Sequence, residues 1–173
     1  ESDGSGYMEP VFSHVFVIPA GGSTPRQVTA GDRNHGNAPV WSADGQALFF
    51  SANLSEDWEY DRRNSEIYSI RLSDGQVEAL TDRDGPDRGP AVSPDGKTIA
   101  YLGFDDKMQT YQVTRIYLMS RDGSGKRELV TNLDRSPYGL VWDTDGKGLY
   151  FQYDDKGNTK IGYVTLNGAV TTV

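Results

Sequence analysis

The chain has 173 residues, no cysteine and a formal net charge of −8 at pH 7. The lack of cysteine excludes disulfides, structural zinc bound through thiolates, and thiol catalysis. Neither nucleic acid nor a membrane is expected as a partner, because the basic residues are scattered among acids and no apolar run approaches the roughly 18 residues of a membrane-spanning helix.

The first predicted element is a β-hairpin at residues 14–29, in which an apolar strand and a short polar strand flank a turn with proline and glycine. Hairpins of the same kind recur at 66–81, 115–131 and 160–173. Their last strands are short and charged or polar, as expected of a protected outer edge strand.

A second repeating pattern, an Asp-Gly turn between two apolar runs, alternates with these hairpins. Its aspartates Asp44, Asp95 and Asp145 are 51 and 50 residues apart. Asp-Gly predicts a tight hairpin, because glycine enters positive φ at little cost. Pro39 and Pro90 are predicted just before the first strand, where a missing N–H costs no ladder hydrogen bond. A fixed period of this length indicates a repeat architecture.

Two hairpins in series make a four-stranded unit of the size of a propeller blade. We therefore predict an all-β fold, a partial β-propeller of four-stranded antiparallel blades forming one domain over residues 1–173. It comprises about three and a half blades: a half blade at 14–29 and full blades at 39–81, 90–131 and 139–173. A closed propeller typically needs about four or more blades, so a larger propeller is expected, and open blade faces are expected to promote self-association.

The long loops are predicted to share the face opposite the Asp-Gly turns. They are the segments 52–64, 104–113 and 153–159 within blades, and 31–38, 82–89 and 132–138 between blades. Long loops on a rigid scaffold are where binding commonly occurs. The candidate contact residues for another domain or a peptide are Trp58, Tyr60, Arg62, Arg63, Asp134 and Arg135. The alternative is a solvated insertion whose Trp58 and Tyr60 pack on neighbouring loops.

No catalytic residue, metal site or cofactor is predicted. His14 and His35 have no Gly-x-Ser-x-Gly nucleophile elbow to serve, and no predicted helix would hold one. The segments 82–87 and 143–146 superficially resemble calcium loops, but both lack the Asp-x-Asp-x-Asp-Gly order with a distal glutamate. Turn chemistry explains the second segment, which aligns with the other hairpin turns.

The repeat resembles a known family. The Trp-Ser-x-Asp-Gly hairpin at 41–45, followed by an Ile-Tyr strand at 67–68 and a Leu-Thr ending at 80–81, is similar to the WD40-like propeller repeat shared by TolB and the prolyl oligopeptidase family. The acylaminoacyl-peptidase branch is favoured by three further segments, whereas TolB blades usually lack inserts as long as 52–64. These segments are Gly6-Tyr7 with 13–17, the charged insert 61–68, and 132–136.

The resemblance implies a division of labour within a longer bacterial serine peptidase. An α/β-hydrolase domain of the parent chain would carry the Ser-Asp-His triad, and the propeller would cap it and admit short peptides as substrates. None of the catalytic motif is present, so no catalytic residue is carried over and this segment is expected to be non-catalytic. The alternatives are a TolB-like periplasmic scaffold that binds a partner protein, and a free-standing sensor or sugar-processing propeller. The sequence favours neither the cytoplasm nor the periplasm.

Overall fold

The computed structural model describes residues 11–36 and 39–173, which contain fourteen strands and no helix. Gly6-Tyr7 of the family resemblance and the end of the predicted 31–38 loop lie outside the described residues. No described segment is a helix long and apolar enough to cross a membrane. The strands are β1 (Phe16–Val17), β2 (Arg26–Gln27), β3 (Val40–Trp41), β4 (Ala47–Ala52), β5 (Glu66–Arg71), β6 (Val77–Ala79), β7 (Asp87–Val92), β8 (Thr98–Gly103), β9 (Arg115–Ser120), β10 (Arg127–Glu128), β11 (Tyr138–Trp142), β12 (Gly148–Asp155), β13 (Asn158–Thr165) and β14 (Val170–Thr172).

The strands form one two-stranded and three four-stranded antiparallel sheets, each in chain order. We call them the half-blade (β1–β2), blade 1 (β3–β6), blade 2 (β7–β10) and blade 3 (β11–β14). The predicted all-β partial propeller is thereby confirmed.

In blades 1 and 2 the Asp-Gly hairpins form because a serine and an aspartate side chain supply the hydrogen bonds of the turn. In blade 1, the Ser42 hydroxyl donates to the Asp44 carboxylate at 2.6 Å and accepts from the Ala47 N–H at 2.9 Å. Asp44 also accepts from the Gln46 N–H at 3.0 Å, and Gly45 adopts the positive φ of 68° that the turn requires. Blade 2 repeats this network around Ser93 and Asp95.

The core lies between neighbouring sheets, because alternate residues of a central strand point to opposite faces. In β4, Leu48 and Phe50 pack with Val15 of the half-blade, whereas Phe49 packs with Ile99 of blade 2. The same arrangement joins blade 2 to blade 3, where nine buried residues form one cluster. Burial on both faces explains the continuous apolar runs of these strands.

Two predicted positions differ from the structure for local reasons. Strand β7 begins at Asp87, so Pro90 lies inside the strand rather than before it. The ladder with β8 is interrupted by a bulge between Arg88 and Ala91, and the missing N–H of Pro90 therefore still costs no ladder bond. The predicted long loop at 153–159 is wrong: β12 and β13 pair as far as Asp155 with Asn158, joined by a two-residue turn.

Candidate contact surface on the long-loop face

Two long connections and one interblade connection meet on the face opposite the Asp-Gly turns. We call the β4–β5 connection, residues 53–65, loop A, and the β8–β9 connection, residues 104–114, loop B. The Asp106 N–H of loop B donates to the Asp84 carbonyl of the β6–β7 connection at 2.8 Å. Together they form one continuous surface across blades 1 and 2.

Arg63 connects loop A to loop B. Its Nε lies 3.2 Å from Oδ2 of Asp106, and its Nη2 lies 3.2 Å from Sδ of Met108. Asp106 is held in turn by the Met108 N–H at 2.7 Å and by Nε2 of Gln112 at 2.9 Å. Because the carboxylate is almost fully buried, this arrangement stabilises the two loops. The guanidinium of Arg63 is used for contacts within the protein, to Asp106 and Met108.

The other predicted residues of loop A occupy two environments. Trp58 packs edge-on against Phe12 at 6.3 Å, and the guanidinium of Arg33 lies 5.5 Å from its ring centroid. Tyr60 is 91% exposed, and Arg62 is exposed with its Nε donating to the Glu59 carbonyl at 3.1 Å. Tyr60 and Arg62 are therefore the exposed members of the predicted set on this loop that are not paired with loop B, whereas Arg63 is exposed but paired.

Loop B adds two exposed large hydrophobic side chains that sequence reasoning did not single out. Met108 is 78% exposed and Tyr111 is 67% exposed. With Tyr60 they form a set that we call the exposed tips. A depression of about 450 Å³ lies between two of these tips, Tyr60 and Met108. Its other lining residues are polar or charged: Asp57, Asp61, Arg62, Arg63, Asp84 and Asp106. An isolated methionine in a polar loop has no distinctive pattern, so the only available signal was its place in a predicted long loop.

Asp134 and Arg135 lie in a separate group between blades 2 and 3. Arg135 pairs with Asp134 at 2.7 Å and with Asp155 at 3.4 Å, and Asp155 also pairs with Lys160. Among the described residues no ion pair or hydrogen bond joins this group directly to loop A. The structure therefore does not bring the six predicted contact residues into one site.

A buried polar cluster lies beneath the loops, between blades 1 and 2. The carboxyl of Asp87 is only 1% exposed, and Nε of Arg83 lies 3.0 Å from its Oδ1. The two groups are within ion-pair distance, but their alignment is not that of a hydrogen bond. Arg83 also pairs with Asp105 at 3.0 Å, and its guanidinium lies 3.7 Å from the ring centroid of Tyr117.

Burial raises the pKa of two carboxyls at this contact between blades, those of Asp87 and the neighbouring Glu66. Desolvation raises the pKa of Asp87 to about 6, although Arg83 opposes the change. Desolvation likewise raises the pKa of Glu66 to about 7, against a hydrogen bond donated by the Thr81 hydroxyl. Both groups therefore change charge near neutral pH.

The two histidines form a similar contact between the half-blade and blade 1. Their ring centroids are 5.1 Å apart, and Nδ1 of His35 lies 3.0 Å from the Arg33 carbonyl oxygen. Burial lowers the pKa of His35. In the part of the chain that the structure describes, no group of three or more His, Cys, Asp or Glu side chains is arranged to hold a metal ion.

No family model matches the chain. Among curated proteins, the dipeptidyl-peptidase 5 of Porphyromonas gingivalis is 29% identical over 129 residues, which cover 73% of this chain and 19% of the relative. The probable dipeptidyl-peptidase 5 of Arthroderma benhamiae is 30% identical over 133 residues, covering 69% of this chain and 18% of the relative. The chain thus spans less than a fifth of the length of these relatives.

Solved propeller structures match nearly the whole chain. A putative TolB from Agrobacterium tumefaciens has a TM-score of 0.70 at 21% identity, covering 92% of this chain and 55% of that one. A puromycin hydrolase has a TM-score of 0.67 at 20% identity, covering 92% of this chain and 27% of that one. At this level of identity the two likenesses show the fold alone.

Proposed function

We propose that this β-propeller segment, which is homologous to peptidases of the prolyl oligopeptidase family, caps an α/β-hydrolase domain of its parent chain. In this proposal the propeller is non-catalytic and controls the access of short peptides to a catalytic serine elsewhere in the parent. The observation that carries the proposal is the similarity to the dipeptidyl-peptidases over 129 and 133 residues. The sequence itself contains no nucleophile elbow.

The long-loop face is the side that we propose for docking. Exposed tyrosine and methionine side chains are enriched at the centres of protein interfaces, and the exposed tips place three such residues on adjacent loops. The Arg63–Asp106 ion pair holds these loops before any partner arrives. Association then costs less ordering entropy than it would with free loops.

The first test is the coding sequence beyond Val173. The proposal expects an α/β-hydrolase sequence with a Gly-x-Ser-x-Gly elbow. A stop codon, or further blades followed by a stop codon, would overturn the proposal and favour a non-catalytic scaffold of the TolB kind.

Gating is tested in the full-length parent protein by replacing two exposed tips, Tyr60→Ala with Met108→Ala. Loss of a docking contact of hot-spot size costs roughly 1–2 kcal/mol. We therefore expect cleavage of an unfolded protein, relative to a dipeptide ester, to rise by about tenfold as the cap opens more often. Labelling of the catalytic serine by a small fluorophosphonate should stay unchanged.

The matched control is Leu166→Ala, which removes a partly exposed side chain near the opposite face, beside the β13–β14 turn. It should leave the ratio of long to short substrates as in the wild type. An unchanged ratio in the double variant would argue against docking through the exposed tips, whether or not the parent is a peptidase.

A further inference from the structure

The three contacts between neighbouring sheets, which we call junctions, share one hydrogen-bond plan. Each has an amide at the start of the connection to the next blade that donates to a carbonyl of its own sheet; in blades 1 and 2 the acceptor lies in the third strand, and in the half-blade it directly precedes β1. These bonds run from Val28 to Val15 at 2.9 Å, from Leu80 to Ile67 at 2.7 Å, and from Leu129 to Ile116 at 2.8 Å. Each junction therefore has an equivalent hydrogen-bonded amide.

The first two junctions also share a threonine and a buried titratable group. The Thr29 and Thr81 hydroxyls accept from the N–H groups of Val15 and Ile67, both at 2.8 Å. Further along, the His35 and Asp87 N–H groups donate to the carbonyls of Ser13 and Ser65 at 2.9 Å and 2.7 Å. These bonds make His35 of the first junction equivalent to Asp87 of the second.

Adjacent positions complete the comparison. The residue just before each acceptor of the repeated amide bond differs between the junctions: it is His14 in the first, Glu66 in the second and Arg115 in the third. The third junction has Val130 in place of the threonine. The same backbone hydrogen bonds are thus combined with different side chains. The first junction has a histidine pair, the second a carboxyl pair, and the third an arginine with an apolar neighbour.

The second junction has more buried carboxyl groups than cations. Glu66 faces Thr81, Asp82 and Asp87 and the backbone N–H of Arg83. Asp87 faces Arg83, Asp105 and the hydroxyl of Thr81, and it influences the hydroxyl of Tyr101. One guanidinium, that of Arg83, is shared between Asp87 and Asp105, and both carboxyl oxygens of Asp87 lack a hydrogen bond among the described residues.

Close packing restricts the movement of the Asp87 carboxyl. A side chain at Gly103 of β8 would meet its Oδ1 at 2.2 Å, which shows how closely the carboxyl lies against the backbone of the neighbouring strand. Arg83 can compensate one negative charge, so ionisation of both Glu66 and Asp87 has to be accommodated by separating the two sheets or by admitting water.

We propose that the junction between blades 1 and 2 is a proton-controlled contact, tight while the Glu66–Asp87 pair holds a proton and looser when both carboxyls are ionised. The junction between the half-blade and blade 1 responds in the opposite direction, because the equivalent buried group is His35. The third junction has no such pair of titratable groups, so its contact does not change with pH near neutrality.

The signs follow from linkage between proton binding and folding. The pKa values of Glu66 and Asp87 are raised to about 7 and about 6, so their stabilising contribution is complete below their ordinary values and is lost as the pH rises through 6–7. Burial lowers the pKa of His35, with the neighbouring His14 adding to the effect. Its contribution is present above the ordinary histidine value and is lost as the pH falls.

Amide hydrogen exchange at Val28, Leu80 and Leu129 tests the proposal, since the three equivalent amides report one junction each. After correction for the intrinsic exchange rate, protection of Leu80 should fall by at least about tenfold between pH 5 and pH 8, because each unit of pKa difference corresponds to a tenfold change and the pKa values of Glu66 and Asp87 are both raised by more than one unit. Protection of Val28 should rise over the same range, and that of Leu129 should stay level.

The variant Glu66→Gln should remove most of the pH dependence at Leu80, and Glu78→Gln, at an exposed site on β6 of the same blade, should retain it. Parallel changes at all three amides would overturn the proposal, as would an undiminished change at Leu80 in Glu66→Gln. If Glu66→Gln does not fold, the comparison of the three amides in the wild type still decides.

Discussion

Arg83 concentrates several interactions in one side chain. It pairs with the buried Asp87 and the exposed Asp105, and it covers the ring of Tyr117. A guanidinium suits this position because it is planar and permanently charged, so it can stack and form ion pairs at the same time. Its pKa is raised even though burial opposes the charge, because Asp87 and Tyr117 favour the charged form.

We expect Arg83→Met to lower the free energy of unfolding by about 3 kcal/mol at pH 8, because Asp87 would be left buried without its cation. The loss should be smaller at pH 5, where Asp87 is protonated and no uncompensated charge remains. Urea unfolding at the two pH values measures both quantities.

Asp87→Asn in the same background should recover part of the loss, with a coupling energy of at least about 1 kcal/mol. The control is Arg121→Met, since Arg121 pairs with Asp44 at 2.8 Å on the surface and such pairs contribute about 1 kcal/mol or less. Equal losses for Arg83→Met and Arg121→Met would contradict a special role for the buried pair.

At the scale of elements, the Ser-x-Asp-Gly turns show which part of the fold is encoded locally. The hydroxyls of Ser42 and Ser93 are each used twice, as donors to the turn aspartate and as acceptors from a strand N–H. Both serines are buried. Water therefore cannot readily replace the lost partner when either hydroxyl is removed.

Ser93→Ala is therefore expected to lower the free energy of unfolding by about 1–2 kcal/mol, and Ser42→Ala should cost a similar amount. Thr144→Ala, at an exposed position of the equivalent turn in blade 3, should change stability by less than about 0.5 kcal/mol. Thermal or urea unfolding of the three variants makes the comparison. A Thr144→Ala loss as large as that of Ser93→Ala would show that the hydroxyl network is not the cause.

The turns and blades were predictable from the sequence because their chemistry lies within a few residues of each Asp-Gly pair. The bulge that accommodates Pro90 was not, since it depends on the register with β8. Neither was the contact of Arg83 with Tyr117, which joins the β6–β7 connection to strand β9 of blade 2. In the candidate site, Tyr60 was identified by its place in a long charged insert, whereas Met108 became visible only through its contact with Arg63.

At the scale of the whole molecule, the last sheet has a face of the kind that is buried elsewhere. In blade 2, Ala100 is paired with Ala91 and Leu118 across its neighbouring strands, and Ala100 and Leu118 are buried against blade 3. In blade 3, Tyr150 holds the same register position, paired with Val141 and Tyr163. On this face Val141 is 61% exposed, Ile161 51% and Tyr150 38%.

This face supports the expectation that the isolated chain self-associates. Contiguous apolar surface of this kind is unfavourable in water and is relieved by contact with a second apolar sheet. We expect concentration-dependent dimers or larger assemblies at micromolar concentrations in sedimentation velocity. The double variant Tyr150→Lys with Ile161→Lys should shift the distribution towards monomer, because two buried ammonium groups would be costly in any such contact.

Tyr111→Lys is the appropriate control, because it places the same charge at an exposed aromatic residue on the long-loop face. If association runs through the blade 3 face, this control should associate as the wild type does. Equal loss of association in both variants would indicate a general effect of added charge, and a monomeric wild type at all concentrations would contradict the expectation. Association that only Tyr111→Lys abolishes would instead place the self-contact on the long-loop face, where it would compete with the proposed docking of the hydrolase domain.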